Sequence, residues 1–181
     1  MSVPVRRGAR ARVLATLASF AALAACGYHT MGGRGFFGSD VNTIELVAFD
    51  NQSREPALPH LIAQAFSEEF SRRGWLDPKP QGEIDKPDLI LRGIVRSALV
   101  HSSSFSKGAF VLESTIDVTI DVTVKRAGSG QLLLQHPGLR EHEVFLDSAD
   151  PQVTASNKEQ AMRRMSAAIA QRVQDELFQK F

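Results

Sequence analysis

The sequence predicts an α+β two-layer sandwich, in the order strand, helix, three strands, helix, with two helices covering one face of a mostly antiparallel sheet. Three observations carry that prediction. Ile116, Val118, Ile120, Val122 and Val124 alternate with Thr115, Asp117, Thr119, Asp121 and Thr123, the period-two pattern of a strand with one dry and one wet face. Leu58, Leu61, Ile62, Ala65, Phe66 and Phe70 recur at three- and four-residue spacing, as the apolar stripe of a helix does. Met162, Met165, Ile169, Val173, Leu177 and Phe181 repeat that spacing at the other end of the strand-rich region.

Each element has local reasons. Thr43 to Phe49 is apolar and rich in branched residues, and Asp50-Asn51-Gln52-Ser53 stops it, so a first strand and turn are expected there. A helix should start near Pro56 with Gln64, Glu68, Glu69 and Arg72 outward. Arg72 and Arg73 suit the negative end of its dipole and Gly74 a left-handed cap. Pro78, Pro80 and Pro87 mark a loop. Asp88 to Val100 reads as a strand buried on much of both faces, with Gly93 at a bulge or a close backbone approach. A polar loop is expected over His101 to Ser106, then the alternating strand from Val111 to Lys125. Gly128-Ser129-Gly130 supplies a hairpin turn, and Gln131 to Phe145 returns as a strand broken near Pro137-Gly138. The last helix is expected from about Asn157.

The N-terminus reads as an export signal. Arg6, Arg7, Arg10 and Arg12 precede an apolar run from Val13 to Ala25, too short to span a bilayer, which needs about 20 apolar residues. The run ends in Leu23-Ala24-Ala25-Cys26, which resembles the bacterial lipobox and implies cleavage before Cys26 and lipid attachment to it. Three segments follow: residues 1–25 as a lipoprotein signal peptide, 26–40 as a flexible tether from the lipidated cysteine, and 41–181 as a single α+β domain. The tether carries five glycines from Gly27 to Asp40. Within it, Gly33-Arg34-Gly35-Phe36-Phe37-Gly38 matches the dinucleotide fingerprint only formally, because that motif needs a strand before it and a helix after it.

Charge and cysteine use narrow the function. The whole chain has 21 basic and 20 acidic residues, but four of the arginines lie in the signal, so the mature chain has 17 against 20 and a net charge of −3. That gives no global field for nucleic acid. Cys26 is the only cysteine, which excludes an intramolecular disulfide and a cysteine-based zinc site. His29, His60, His101, His136 and His142 lack the HExxH spacing. In Glu141-His142-Glu143, alternation sends the two acids to one face and the histidine to the other. Asp117 and Asp121 share a threonine-lined wet face, and Gly128-Ser129-Gly130 lacks the spacing of a nucleophile elbow. No enzyme, metal or cofactor is expected beyond the covalent lipid on Cys26.

The residues with binding chemistry are basic. Arg92 and Arg96 share one strand face with Ile94 between them, a basic patch unless acids across the sheet pair with them. Lys107 is expected in a loop and Lys158 in a segment, Pro151 to Gln160, just before the last helix. A cation so placed can pair with phosphate through charge-assisted hydrogen bonds, and the plainer alternative is a solvated surface charge.

Cys26-Gly27-Tyr28-His29, the strand and turn from Ile44 to Ser53, and Pro87-Asp88-Leu89-Ile90-Leu91-Arg92-Gly93-Ile94, in that order and followed by the last helix, resemble the LPS-assembly lipoprotein family, LptE. The resemblance implies a non-catalytic lipoprotein on the periplasmic face of the outer membrane. It implies a plug and assembly partner for an LptD-type β-barrel, in contact with lipopolysaccharide. Gly27 after the cysteine resembles the sorting pattern of outer-membrane lipoproteins. The family also implies lipopolysaccharide contact near Lys107-Gly108 and near Ser156 to Lys158. Two other readings remain open on sequence: an activator of a cell-wall synthase or component of a secretion pore, which shares the strand, the Asp-Asn turn and an Asp-x-x-Leu-x-Gly strand; and a small hydrolase without an evident constellation.

Overall fold

A computed structural model describes residues 41–105, 107 and 111–180. The expected signal, Cys26, the tether and Phe181 lie outside the described residues. The chain runs β1 (Thr43–Leu46), β2 (Asp50–Asn51), α1 (Leu58–Arg73), β3 (Asp77–Pro80), β4 (Leu89–Phe105), β5 (Val111–Arg126), β6 (Leu132–Leu146) and α2 (Pro151–Phe178). The sheet order is β3-β1-β4-β5-β6, with β2 beside β4. β4, β5 and β6 form an antiparallel meander, while β1 pairs in parallel with β3 and β4. The expected α+β architecture is therefore present.

One layer of side chains makes the core. Ile116, Val118, Ile120, Val122 and Val124 of β5 are all buried, as their alternation predicts. They join Leu89, Leu91 and Val95 of β4 and the stripes Leu58, Ile62, Phe66 and Phe70 of α1 and Met165, Ile169, Val173 and Leu177 of α2 in one cluster. α1 ends as expected: Gly74 has φ 67° and its N–H donates to the Phe70 carbonyl at 3.1 Å.

Several expectations need correction. The first strand stops at Leu46, and Asp50–Asn51 is a separate short strand. The proline-rich loop contains β3, which pairs with β1 in register Thr43↔Asp77 to Leu46↔Pro80. The Asp77 N–H turns inward to the Asn42 carbonyl at 2.8 Å, so alternation points the missing donors of Pro78 and Pro80 away from the sheet. An edge strand tolerates proline in that phase. His101 to Phe105 is strand rather than loop, because β5 supplies its ladder as far as Phe105↔Val111. α1 starts at Leu58 and not near Pro56. α2 starts at Pro151, six residues before the expected Asn157, since Asp150 caps it by accepting from the Gln152 N–H at 2.8 Å and Pro151 fits the first turn. Glu69 faces inward and is buried, paired with Arg72 at 2.6 Å and Arg73 at 3.0 Å, while Arg73 reaches Asp175 of α2 at 2.7 Å.

Two of the short motifs are structural. One oxygen of Asp88 accepts from the Asn42 N–H (2.9 Å), the Thr43 N–H (2.9 Å) and the Thr43 hydroxyl (2.8 Å), tying the start of β1 to the start of β4. Asn51 closes the turn after β2, accepting from the Ser53 N–H at 3.0 Å and donating to the Glu55 carbonyl at 3.0 Å. Burial pushes the Asp88 carboxyl up, but the three hydrogen bonds and the nearby Arg126 outweigh it and hold the group below its ordinary value. A depressed carboxyl stabilises the fold above its unfolded pKa of about 3.9 and ceases to do so as pH falls through the lower folded value. Asp88→Ala should therefore cost about 2 kcal/mol at pH 7. The gap between variant and wild type should narrow only below about pH 4, which melting curves from pH 7 down to pH 2.5 would measure.

Candidate functional site on the uncovered sheet face

Because α1 and α2 pack on one side of the sheet, strand alternation leaves the other side without a covering layer among the described residues. Its two halves differ. Leu99, Val144 and Leu146 stand on this face toward the hairpin between β4 and β5, and Phe105 pairs with Val111 at the end of the ribbon. Leu99 is 65%, Phe105 59% and Leu146 60% exposed, an apolar strip of the kind that marks a contact surface. The other half is a trough of about 660 Å³ with Ile90, Ile94, Val47 and Ala48 among its apolar lining residues. Arg92, Arg96, Lys125 and Arg126 also line it, against the carboxylates of Asp50 and Asp121.

The four basic residues singled out in the sequence have different situations. Arg96 pairs with Asp121 at 2.6 Å and donates to Gln52 at 3.1 Å, the cross-sheet pairing that was its plainer reading. Asp121 also accepts from the Gly138 N–H at 2.8 Å. That bond and the one from Arg96 hold its carboxyl below the ordinary value against the opposing effect of burial. Arg92 is exposed in the trough and has no ion-pair partner among the described residues. Lys107 is exposed in the turn beyond β4. Lys158 lies within α2, not before it, and its ammonium pairs with Glu55 at 2.5 Å, joining the helix to the loop ahead of α1.

These residues do not converge. Phe105 lies thirteen steps along β4 from Arg92, roughly 40 Å at the rise of an extended strand, so Arg92 and Lys107 cannot grip one headgroup. Sequence reasoning missed Lys125, which stands diagonal to Arg92 because Thr123 faces Arg92 and Lys125 faces Ile90. Alternation places Lys125 on the threonine face of β5, but only the register brings it to Arg92.

Glu141, Glu143, His101 and His136 have structural partners. Glu143 pairs with Arg164 at 2.7 Å and Glu141 with Arg172 at 3.6 Å, both arginines from α2. His136 meets Glu176 at 2.8 Å, and His101 meets Asp117 at 3.2 Å. Among the described residues no group of three or more His, Cys, Asp or Glu side chains is placed to hold a metal ion.

The same α2 residues seal the edge of the sheet. Among the described residues β6 has no strand beyond it, and its outward carbonyls at Arg140, Val144 and Leu146 accept from Arg172 (3.4 Å), Arg164 (3.3 Å) and Asn157 (2.9 Å). Pro137 interrupts the earlier part of the strand. An unsealed edge is a template for pairing with another chain. Arg164→Ala combined with Arg172→Ala should cost at most about 1 kcal/mol per exposed pair in stability. It should nevertheless produce concentration-dependent dimers in sedimentation velocity; a variant that stays monomeric at all concentrations would show that α2 does not guard this edge.

The described domain is similar to known proteins. Residues 41–177 match the family model described as LptE, lipopolysaccharide assembly. A structure described as a lipoprotein from Caulobacter crescentus is similar at 12% identity and TM-score 0.51, over 73% of this chain and 88% of that one. A Xanthomonas campestris protein is similar at 11% identity and TM-score 0.50, over 78% and 88%. Rare lipoprotein B from Shewanella oneidensis is found at 14% identity and TM-score 0.45, over 73% and 92%. No curated protein sequence matches the chain. The likenesses to the Caulobacter and Xanthomonas structures support the fold. The family match spans the described domain from the strand before the Asp-Asn turn to the end of α2, and the chain belongs to the LptE family of non-enzymatic lipopolysaccharide-assembly lipoproteins.

Proposed function

We propose that this protein is anchored to the periplasmic face of the outer membrane through lipid on Cys26. There it occupies and helps assemble an LptD-type β-barrel, and it contacts lipopolysaccharide on its way to the outer leaflet. The observation that carries the reading is the family match over residues 41–177. The uncovered sheet face supports it, since an exposed apolar strip beside a basic trough suits a domain that works enclosed by a partner. Lys107 is exposed in the turn beyond β4, which leaves it free to meet a lipid phosphate in this reading, whereas Lys158 pairs with Glu55. The role requires no cofactor and no chemistry at the protein.

The test is affinity purification from detergent-solubilised outer membrane, with Cys26→Ala in parallel. A large β-barrel should be the main co-purifying protein. The Cys26→Ala chain should leave the membrane fraction in cells depleted of that barrel, because several acyl chains make release negligible and their absence leaves only protein contacts. A penicillin-binding protein as main partner, or a ring of identical chains, would replace the barrel reading with one of the two lipoprotein alternatives. Retention of Cys26→Ala in barrel-depleted membranes after a salt wash would remove lipidation as the anchor.

A further inference from the structure

The trough places two cations side by side without an anion between them. Arg92 on β4 and Lys125 on β5 are diagonal neighbours on one face, roughly 7 Å apart at Cβ for such a pair, and both are exposed. Neither has an ion-pair partner among the described residues, whereas Arg96, on the same wall, is already neutralised by Asp121. Arg126 is committed elsewhere, contributing to the field that depresses Asp88. Two other acids lie on this half of the face: Asp50 beside Ile94, and Glu45 beside Ile90, whose carboxylate accepts from the Gly82 N–H at 2.8 Å. Like charges at this spacing repel each other, and a bound anion turns that repulsion into attraction. A mature chain with a net charge of −3 that gathers four of its cations in one trough has a local field opposite to its global one.

We propose that Arg92 and Lys125 bind one phosphomonoester or diphosphate group, in a site distinct from the turn that carries Lys107. The guanidinium presents a planar fork that matches two phosphate oxygens, and the ammonium supplies a mobile point charge from the neighbouring strand. Ile90 and Ile94 flank Arg92 on the same strand face, so an apolar neighbour of the phosphate finds contact there. The phosphate can belong to a lipid headgroup or to a small soluble anion, and the two sources share this chemistry. The site does not depend on the barrel partnership: co-purification of the barrel tests that role, and the binding measurement below tests only the trough.

The experiment uses the full chain in neutral detergent and two probes: inorganic pyrophosphate followed by isothermal titration calorimetry, and mixed micelles doped with phosphatidic acid or with phosphatidylcholine. Wild type should bind pyrophosphate, phosphatidic acid micelles, or both, in preference to phosphatidylcholine. Binding of phosphatidic acid alone assigns the site to a lipid surface, and binding of pyrophosphate, with or without phosphatidic acid, assigns it to the phosphate group itself. The double variant Arg92→Gln with Lys125→Gln should bind at least tenfold more weakly with an unchanged melting temperature, while Arg163→Gln, on α2 and outside the trough, should stay within twofold of wild type. Wild-type affinity should also fall as salt is raised, since exposed charges are screened within about 8 Å at physiological ionic strength. The proposal is overturned by a wild type that binds neither probe, by a double variant within twofold of wild type, or by Arg163→Gln losing as much affinity as the double variant.

Discussion

Ile120→Asp is expected to abolish folding at neutral pH. Ile120 lies in the middle of β5, is fully buried, and is flanked along its face by the equally inaccessible Val118 and Val122. Its partners across the ladder, Val95 and Leu139, are also buried and offer no cation or donor. A carboxylate there either remains charged without a partner or takes up a proton and stays unpaired, so the cost should exceed about 4 kcal/mol against a domain stability of about 5–15 kcal/mol. Thr119→Asp is the control. Thr119 is half-buried on the opposite face, opposite Arg140 in the register, and its substitution should cost about 1 kcal/mol or less. Circular dichroism melts of the two variants would show the contrast. Equal losses would mean that the two faces of β5 are not what the register assigns.

The second large effect is expected at Gly93. A Cβ built there lies 2.0 Å from Cε1, 2.3 Å from Cδ1 and 2.8 Å from Cζ of Phe49, so the ring occupies the space a side chain would take. Phe49 cannot easily yield. Its ring stacks on Phe66 at 5.7 Å, and Phe66 stacks on Phe70 at 6.1 Å, in the core between sheet and α1. Gly93→Ala should therefore cost about 3 kcal/mol, the upper part of the range for an overpacked core. Truncating the ring relieves the clash, so Gly93→Ala together with Phe49→Leu should cost clearly less than the sum of the two single changes. Urea denaturation of the four proteins in that cycle measures the coupling. Simple additivity would show that the glycine serves something other than the ring.

How the family match bears on the molecule is clearest in the motifs that first suggested it. Asp88, Gly93 and the Asp50-Asn51-Gln52-Ser53 turn all have structural roles: Asp88 ties β4 to β1, Gly93 makes room for Phe49, and Asn51 shapes the turn leading to α1. Glu55 then ties that turn to α2 through Lys158. The recognisable sequence is thus the part that sets the fold. Of the surfaces open to a partner or ligand, the apolar ribbon carries no short motif, whereas the trough takes Ile90, Arg92 and Ile94 from the start of β4.

The amino-acid sequence by itself determined the fold class, the buried face of β5, both helices and the glycine cap of α1, because each depends on a pattern local to one element. The positions of Arg72, Arg73 and Gly74 at the end of α1 needed no tertiary information. Only the tertiary structure decided what depends on pairing between distant segments. The proline-rich stretch became β3 because β1 offered a parallel edge, and His101 to Phe105 became strand because β5 supplied the ladder. Lys158 was drawn to Glu55 and Arg96 to Asp121, while Lys125 came to stand beside Arg92. A charge in a sequence has a sign and a face, but its partner is set by strand register and helix packing, which are cooperative properties of the whole sheet.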